Sequence, residues 1–410
     1  MTREISRGVP QGSVLGPLLW NIAYDAVLRT PLPDGANLTC YADDTLVIAN
    51  GRTWESCKER AEIALARLGE SMNELGLSMA TEKTEVIGFH KRNPPPEDLR
   101  LRVGEDEIAL KQQMKYLGVY LDSYWNFHGH FQQLSTKLER TAGALSRLLP
   151  NLHGPQENVR RLYLGVLRSM ALYGAQVWAE ALGRSKQLRR KVNRLHQRMC
   201  TRVVKGYRTI PGEASELLAR SPPLDLTAKA CAREYEGRAR RDGAFPGGNR
   251  LLRAILKQRT LQEWRQRLET ARHGRRLIEA TLPVFDGWMR RAHGATTYRM
   301  TQMLTGHGCF GKYLHRISKE ETAACHHCPE EVDDADHTLL RCPAWEEDRR
   351  RLREAVGNQL DLPRIMAAMV RDRTAWDAMR AFCESTMTKK EEAERIREGT
   401  RAEQRRRRRR

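Results

Sequence analysis

Three groups of residues in this sequence have the types and spacing to do chemistry. Asp43 and Asp44 are adjacent carboxylates between two short β-prone runs, Leu38–Ala42 and Thr45–Ile48. That pattern predicts a hairpin with both acids at its apex. At a tight turn both side chains can reach one locus, although on a regular strand they would point to opposite faces. Two carboxylates so placed suit a hard cation such as magnesium, which can hold nucleotide phosphates and lower the pKa of an attacking hydroxyl. An ordinary Asp-Asp turn fits the same tetrapeptide. The second group is Cys325, Cys328, His337 and Cys342, spaced Cys-x2-Cys-x8-His-x4-Cys. Three thiolates and one imidazole make a closed tetrahedral zinc site, which is structural rather than catalytic. His326 and His327 are competing ligands. The third group is the cationic set Arg189, Arg190, Arg194 and Arg198, on the faces of a predicted helix beside Leu188, Val192, Leu195 and Met199. Such a face supplies sequence-independent affinity for phosphates.

The elements that must position these groups follow from composition. The chain has 410 residues and a net charge of +20, with 40% hydrophobic and 30% charged residues. This is a globular composition, large enough for several domains. The longest uncharged run, Gly8–Tyr24, holds Pro10, Gln11, Pro17 and Asn21, which argues against a membrane span. Nine scattered cysteines do not form a disulfide framework. Resolved along the chain, residues 1–122 carry −4, residues 123–275 carry +19, residues 276–388 carry −1 and residues 389–410 carry +6. Four regions are therefore expected: an α/β segment, a basic helical segment, a Cys/His segment and a disordered basic tail ending in Arg405–Arg410.

In the first region a helix is predicted from Trp54 to Leu75, stopping at Gly76, with strands at Glu85–Phe89 and Lys115–Leu121. In the second, periodic apolar residues predict helices through 131–148, 159–170, 188–203, 225–241 and 250–272, with a break at Phe245-Pro-Gly-Gly248. Trp125, Trp178 and Trp264 are candidates for core or for base stacking, with core favoured. Five acidic residues lie between Cys328 and His337, so any phosphate contact there must come from flanks such as Arg349-Arg-Arg351, or the zinc loop is a folding staple.

Motifs in order sharpen the first region. Arg7-Gly-Val-Pro-Gln-Gly-Ser-Val-Leu-Gly-Pro-Leu-Leu19 precedes Tyr41-Ala-Asp-Asp44, which precedes Gly76-Leu-Ser78, Thr81-Glu-Lys-Thr84 and Lys115-Tyr-Leu-Gly-Val119. Taken together these resemble the palm of a reverse transcriptase. Arg161-Leu-Tyr-Leu164, Ala171-Leu-Tyr-Gly-Ala175, Tyr207-Arg-Thr-Ile210 and Pro222-Pro-Leu-Asp-Leu226 resemble the region behind the palm in non-LTR retrotransposon polyproteins. The nearest likeness is to the Jockey-like group and the arthropod elements that insert into ribosomal DNA. The resemblance implies an α+β fold: a partial palm over residues 1–122, an all-α thumb over 123–275 and a small zinc-stabilised C-terminal region over 276–388. It implies that Asp43 and Asp44 bind magnesium, that Tyr41 and Ala42 lie near the primer terminus, and that Gln11 and Gly12 position template and nucleotide. Lys83 would sit near the leaving pyrophosphate as a candidate proton donor. RNA template, DNA primer or target and dNTPs would be the partners, with no membrane, in the nucleus or in a cytoplasmic ribonucleoprotein before import.

The family's other metal-binding aspartate lies upstream of the glycine-rich block, and here Met1 stands six residues before Arg7. The expectation is a fragment of an RNA-directed DNA polymerase that is inactive or nearly so alone. The alternatives are a non-catalytic nucleic-acid-binding protein and an expressed retrotransposon relic.

Overall fold

The computed structural model describes residues 12–239 and 248–408, with side chains described as far as residue 400. The chain divides into two compact units, Met1–His130 and Phe131–Arg410. The Gln11 assignment, and residues 245–247 of the predicted break, lie outside the described residues.

The first unit is α+β. Helix α1 (Gly16–Leu28) starts with Pro17 in its first turn, where a missing N–H costs nothing. The hairpin β1 (Ala36–Tyr41) and β2 (Asp44–Ala49) follows, then α2 (Trp54–Glu74). A capping box starts α2: the Thr53 hydroxyl accepts the Ser56 N–H, and the Ser56 hydroxyl accepts the Thr53 N–H. At its far end Gly76 adopts φ +70°, the left-handed stop expected from the sequence. Tyr24 and Val27 of α1 pack on Leu68 and Met72 of α2. Leu38, Cys40 and Val47, the inward positions of the hairpin, close the same core.

Strands β3 (Val86–Ile87), β4 (Arg100–Val103) and β5 (Asp106–Lys111) form a sheet in the order β3-β5-β4. The single strand expected over Lys115–Leu121 is instead a second hairpin, β6 (Gln113–Tyr116) and β7 (Val119–Asp122). Its two central residues, Leu117 and Gly118, both have positive φ, the turn chirality that matches strand twist.

The second unit is helical. It runs through α3 (His128–Ser146, whose first three residues close the first unit), α4 (Glu157–Ala171), α5 (Ala175–Arg184), α6 (Lys186–Val203), α7 (Gly212–Ala219), α8 (Leu224–Ala239) and α9 (Gly248–Glu269). It continues with α10 (Arg275–Thr281), α11 (Phe285–Arg290), α12 (Tyr298–Thr305), α13 (Gly311–Arg316), α14 (Glu346–Val356), α15 (Leu362–Arg371) and α16 (Arg373–Arg408). Trp178 and Trp264 are core residues: Trp178 meets Phe131 edge to face at 5.1 Å and Trp264 meets Phe285 at 5.6 Å. In the first unit Trp125 is half exposed, edge-on to Phe89 and Phe127.

Two boundaries drawn from charge are corrected. Residue 275 is no structural break, because the segments on either side interlock. The Trp288 indole donates to Leu217 O at 2.8 Å, the Thr301 hydroxyl to Val204 O at 2.6 Å and the Tyr298 hydroxyl to Tyr207 at 2.8 Å. The tail from 389 is not disordered as far as Arg408, because α16 continues through it. Arg299 reaches Glu384 at 2.8 Å and Glu391 at 2.9 Å, and Lys319 reaches Glu398 at 2.9 Å. The acids of α16 recur at helical spacing on the face that meets these cations. Net charge per segment hides partners some 80 residues away.

Candidate functional site

The paired aspartates stand where a two-residue turn leaves them. Tyr41 pairs with Asp44, so the turn residues are Ala42 and Asp43, one position earlier than expected. The register is held from the core side. Thr45 faces inward, its hydroxyl 2.6 Å from the Tyr24 hydroxyl and 3.7 Å from Cys40 Sγ. Alternation then puts Asp44 on the outer face. Ala42 takes φ +54°, a left-handed conformation that costs a residue with a Cβ about 1 kcal/mol. Asp43 and Asp44 are both exposed, and neither makes an ion pair among the described residues.

Two tyrosines sense these charges. Desolvation raises the Tyr116 phenol first, and the charge of Asp44 adds to it. Desolvation likewise raises Tyr24, with the charge of Asp43 a lesser contribution. The fold thus brings Tyr41, Ala42, Asp43 and Asp44 together with Tyr116, the tyrosine of the Tyr116-Leu-Gly118 motif. Lys83 ends a 3-10 turn (Thr81–Lys83), exposed, with no hydrogen bond or ion pair to either aspartate among the described residues. Gly12 has φ +88°, which only glycine adopts at ease, and the space beside its Cα is open.

The Cys/His group is assembled more completely. The ligand atoms of Cys325, Cys328, His337 and Cys342 lie within 4.8 Å of one another. Cys328 Sγ is 3.8 Å from Cys342 Sγ and 3.3 Å from His337 Nε2. A tetrahedron with metal–sulfur bonds of about 2.3 Å has edges of about 3.8 Å, the Cys328–Cys342 separation, and the widest pair of the four exceeds that edge by no more than about 1 Å, so small side-chain shifts would fit them to a zinc ion. The competing histidines turn away. The His327 ring packs on Trp345 at 4.8 Å while the backbone N–H of His327 donates to Cys325 Sγ at 3.4 Å, and His326 faces Glu320 at 3.6 Å. Burial pushes the Cys342 thiol up to about 12 and raises Cys325, a cost that a divalent cation would offset by favouring thiolate.

The acidic loop between Cys328 and His337 is used internally. Asp333 is buried and accepts from Lys390 Nζ at 2.6 Å, the Gly311 N–H at 2.9 Å and the Thr338 hydroxyl at 3.0 Å. Asp334 caps His337 N–H at 2.8 Å, and Asp336 receives Arg276 at 2.7 Å. Arg349, expected as a flanking phosphate contact, is 1% exposed. It donates to the carbonyls of Leu339, Thr338 and Cys342, which end the π-helical turn His337–Arg341. Arg350 and Arg351 both lean on Glu347. These contacts make the loop a structural staple.

On α6 the apolar positions Leu188, Val192, Leu195, Met199 and Val203 are buried. Arg190, Lys191 and Arg194 are exposed and make no ion pair among the described residues. Arg198 is exposed but paired with Glu139 at 3.1 Å, and Arg189 is partly buried. One buried arrangement was not visible in the sequence. His196 Nδ1 is 2.9 Å from Glu216 and its Nε2 is 2.9 Å from Ser221 Oγ, with Arg168 donating to the same hydroxyl at 3.1 Å. This has the connectivity of an acyl-transfer triad, but Ser221 is 1% exposed, so no substrate carbonyl reaches it. Its members come from three separate elements, and no spacing rule links them.

Known proteins share parts of this sequence. Residues 1–121 match the family described as reverse transcriptase (RNA-dependent DNA polymerase). The chain is 28% identical over 357 residues to a putative 115 kDa protein of the type-1 retrotransposable element R1DM of Drosophila melanogaster, which covers 83% of this chain and 34% of the relative. It is 26% identical over 361 residues to the R1 Pol polyprotein of Bradysia coprophila, covering 85% of this chain and 35% of that one. Over 190 residues it is 28% identical to the RNA-directed DNA polymerase of the mobile element jockey of Drosophila melanogaster, 44% of this chain and 20% of the relative. The chain thus spans about a third of the length of the first two relatives. No solved structure matches. Residues 1–121 are therefore similar to reverse transcriptases, most of the chain is similar to proteins of R1-type retrotransposable elements of insects, and less than half of it is similar to the jockey polymerase.

Proposed function

We propose that the protein serves RNA-templated DNA synthesis, with residues 1–122 contributing part of a polymerase palm and the helices from α3 to α9 acting as a thumb. The observation that carries this reading is the hairpin tip, where Asp43 and Asp44 stand exposed beside Tyr116 and have no ion-pair partner among the described residues. Two carboxylates free of internal cations are a donor set that fits magnesium. Bound there, magnesium would neutralise phosphate charge and activate the primer hydroxyl. Ala42 holds the turn that aims Asp43 outward. The Lys83 side chain is free to meet a pyrophosphate, and Gly12 leaves room for close backbone approach by template or nucleotide.

The cations of α6 that are left without carboxylates would meet phosphates of the primer–template duplex. The Cys3His cluster would hold zinc and keep α16 joined to the helical unit, with no part in catalysis. Nuclear residence belongs to the same reading, since the DNA target is chromosomal. Among the described residues no helix is long and apolar enough to cross a membrane.

Primer extension on an RNA template with magnesium and all four dNTPs tests the catalytic part. Extension that falls at least about 100-fold in Asp43→Asn supports it, the scale of losing one electrostatic contact to the transition state. Extension unchanged in that variant overturns it. A chain that binds the RNA–DNA hybrid but adds no nucleotide fits both the polymerase fragment expected to be inactive alone and the non-catalytic binding protein, and in either case the cations of α6 would be the working surface.

A further inference from the structure

A cleft of about 1040 Å³ opens among α4, α8, α9 and α11, and none of the α6 cations to which the reading above assigns the duplex lines it. Seven basic and two acidic side chains line it. Some of that charge is answered locally. Arg253 pairs with Glu234 at 2.6 Å, Arg161 and Arg220 share Glu157 at 2.7 and 3.2 Å, and Arg265 lies 3.8 Å from Glu269. Among the described residues Arg168, Lys257 and Arg290 have no carboxylate partner, and Asp286 is the unpaired acid at the same cleft.

Arg168 forms the floor. Its guanidinium donates to the Ser221 hydroxyl at 3.1 Å and leans on Thr227 at 3.5 Å, both neutral acceptors. Behind Ser221 stands His196, and behind His196 stands Glu216, all sealed from solvent. Burial holds His196 down at about 3 and pushes Glu216 well up, so neither side chain supplies a counter-charge from behind. An arginine fixed on two hydroxyls, half buried and facing a cleft with its charge unanswered, is arranged for an anion that arrives from the cleft side. Between the cations the lining includes the apolar residues Leu261, Met289 and Phe285 among the polar Gln258, Thr260 and Gln262.

We propose that this cleft binds a single-stranded nucleic acid. Its phosphates would meet Arg168, Lys257 and Arg290, and its bases would lie on those apolar residues. The shape selects the single strand. A duplex is a rigid cylinder with phosphates on the outside and could touch only the rim, whereas a flexible strand can turn one phosphate inward to Arg168. The volume is at the upper end of ordinary ligand pockets, roughly 300–1,000 Å³, and the cleft is open at its mouth, which suits a short stretch of chain passing through. The inference is independent of the hairpin aspartates. It concerns a site separate from the α6 face assigned to the duplex.

The test uses the full chain, fluorescein-labelled eight-nucleotide oligodeoxythymidylate and a labelled RNA–DNA hybrid, read by anisotropy at fixed low salt. Lys257→Glu with Arg290→Glu reverses two exposed, unpaired rim charges and should weaken oligonucleotide binding at least about tenfold while changing hybrid binding less than about twofold. Arg190→Glu with Arg194→Glu should do the opposite. Arg168→Gln tests the floor, and because that site is half buried, Asp286→Asn provides a gain-of-function partner that needs no buried change: it should tighten the oligonucleotide about two- to threefold. Three outcomes overturn the proposal: unchanged oligonucleotide binding in the rim variant, equal loss of both ligands in it, or displacement of the oligonucleotide by polyglutamate at equal charge concentration, which would assign the cleft to an acidic protein. Hybrid binding that ignores the α6 variant would count against the duplex assignment alone and leave the cleft standing.

Discussion

Replacing Lys390 by methionine tests whether α16 is tied to the zinc loop. Lys390 and Asp333 are both almost wholly buried, 2.6 Å apart, on segments 57 residues apart in sequence. Removing one member of a buried ion pair costs about 3–5 kcal/mol, mostly because the other charge is left without compensation. Asp333 keeps the Gly311 N–H at 2.9 Å and the Thr338 hydroxyl at 3.0 Å, so the lower end applies, about 3 kcal/mol. For a unit the size of Phe131–Arg410 that corresponds to a melting temperature lower by about 5 °C. Calorimetry on the zinc-loaded chain reads this directly. Hydrogen exchange across residues 325–342 should rise with it, because Asp333 lies inside the metal loop. Lys389→Met is the control. That lysine is half exposed and pairs with Asp348 at 3.2 Å, worth at most about 1 kcal/mol. Adding Asp333→Asn to Lys390→Met should recover part of the loss, since no lone charge remains. A Lys390→Met chain that melts within about 1 °C of wild type would refute the docking of α16 and restore the free tail that composition suggested.

Ala42→Gly should raise stability by about 0.5 kcal/mol, the left-handed strain at φ +54° less the extra chain entropy of glycine, and a higher denaturant midpoint with unchanged slope would show it. Stripping zinc with a chelator, or Cys325→Ser, should cost helical circular dichroism and melting temperature in the second unit before it costs nucleic-acid affinity. Affinity lost with helicity intact would mean that the loop itself touches nucleic acid. His196 titrates at about 3 when folded and near 6.5 when unfolded, so the unfolded chain takes up a proton first as pH falls. Stability should therefore drop by about 1.4 kcal/mol per pH unit below about pH 6.5, and His196→Gln should remove that part of the slope between pH 6.5 and 5. Glu216, with its folded pKa raised, works the other way, its contribution being lost as pH rises through the folded value, which makes the difference between wild type and His196→Gln the quantity to measure.

What the sequence made legible was local, and what it hid was tertiary. The helices through 131–148, 159–170 and 188–203 could be read because their apolar residues recur at helical spacing; on α6 all of those residues are buried, whereas Val159, Leu162 and Val166 of α4 stay exposed beside the buried Tyr163 and Leu167. The hairpin around Asp43 could be read from its flanking β-prone runs, but the register was one residue out. What fixes it is the Tyr24–Thr45 hydrogen bond, between residues 21 apart. Lys115–Leu121 looked like one strand because Leu117-Gly118 is a weak turn signal, although its two positive φ values make the turn tight. The Cys325, Cys328, His337 and Cys342 spacing could be read because all four lie within 18 residues of chain, and the fold does bring their ligand atoms within 4.8 Å of one another. The partners of the acidic loop were not found, since Arg276, Gly311 and Lys390 lie 22 to 60 residues away. Arg349 shows the same limit: in sequence it is one of three consecutive arginines, and in the fold it alone is buried on carbonyls.

That limit changes how the basic charge should be understood. A net +19 over residues 123–275 suggests a surface that grips nucleic acid everywhere. Much of it is already engaged. Arg160 is buried on the carbonyls of Pro150, Pro155 and Arg202. Arg267 is bonded twice to Asp225, and Lys229 and Arg233 share Glu263. On the α6 face, Arg190, Lys191 and Arg194 remain available. If these three carry duplex binding, the logarithm of the binding constant should fall with the logarithm of salt at a slope of about −3, since each phosphate neutralised contributes about −0.9. Arg190→Glu with Arg194→Glu should flatten that slope by about 2. A wild-type slope near −10 would mean that arginines held here by carboxylates and carbonyls leave those partners to meet phosphate, and that the duplex surface is assembled by binding rather than present beforehand.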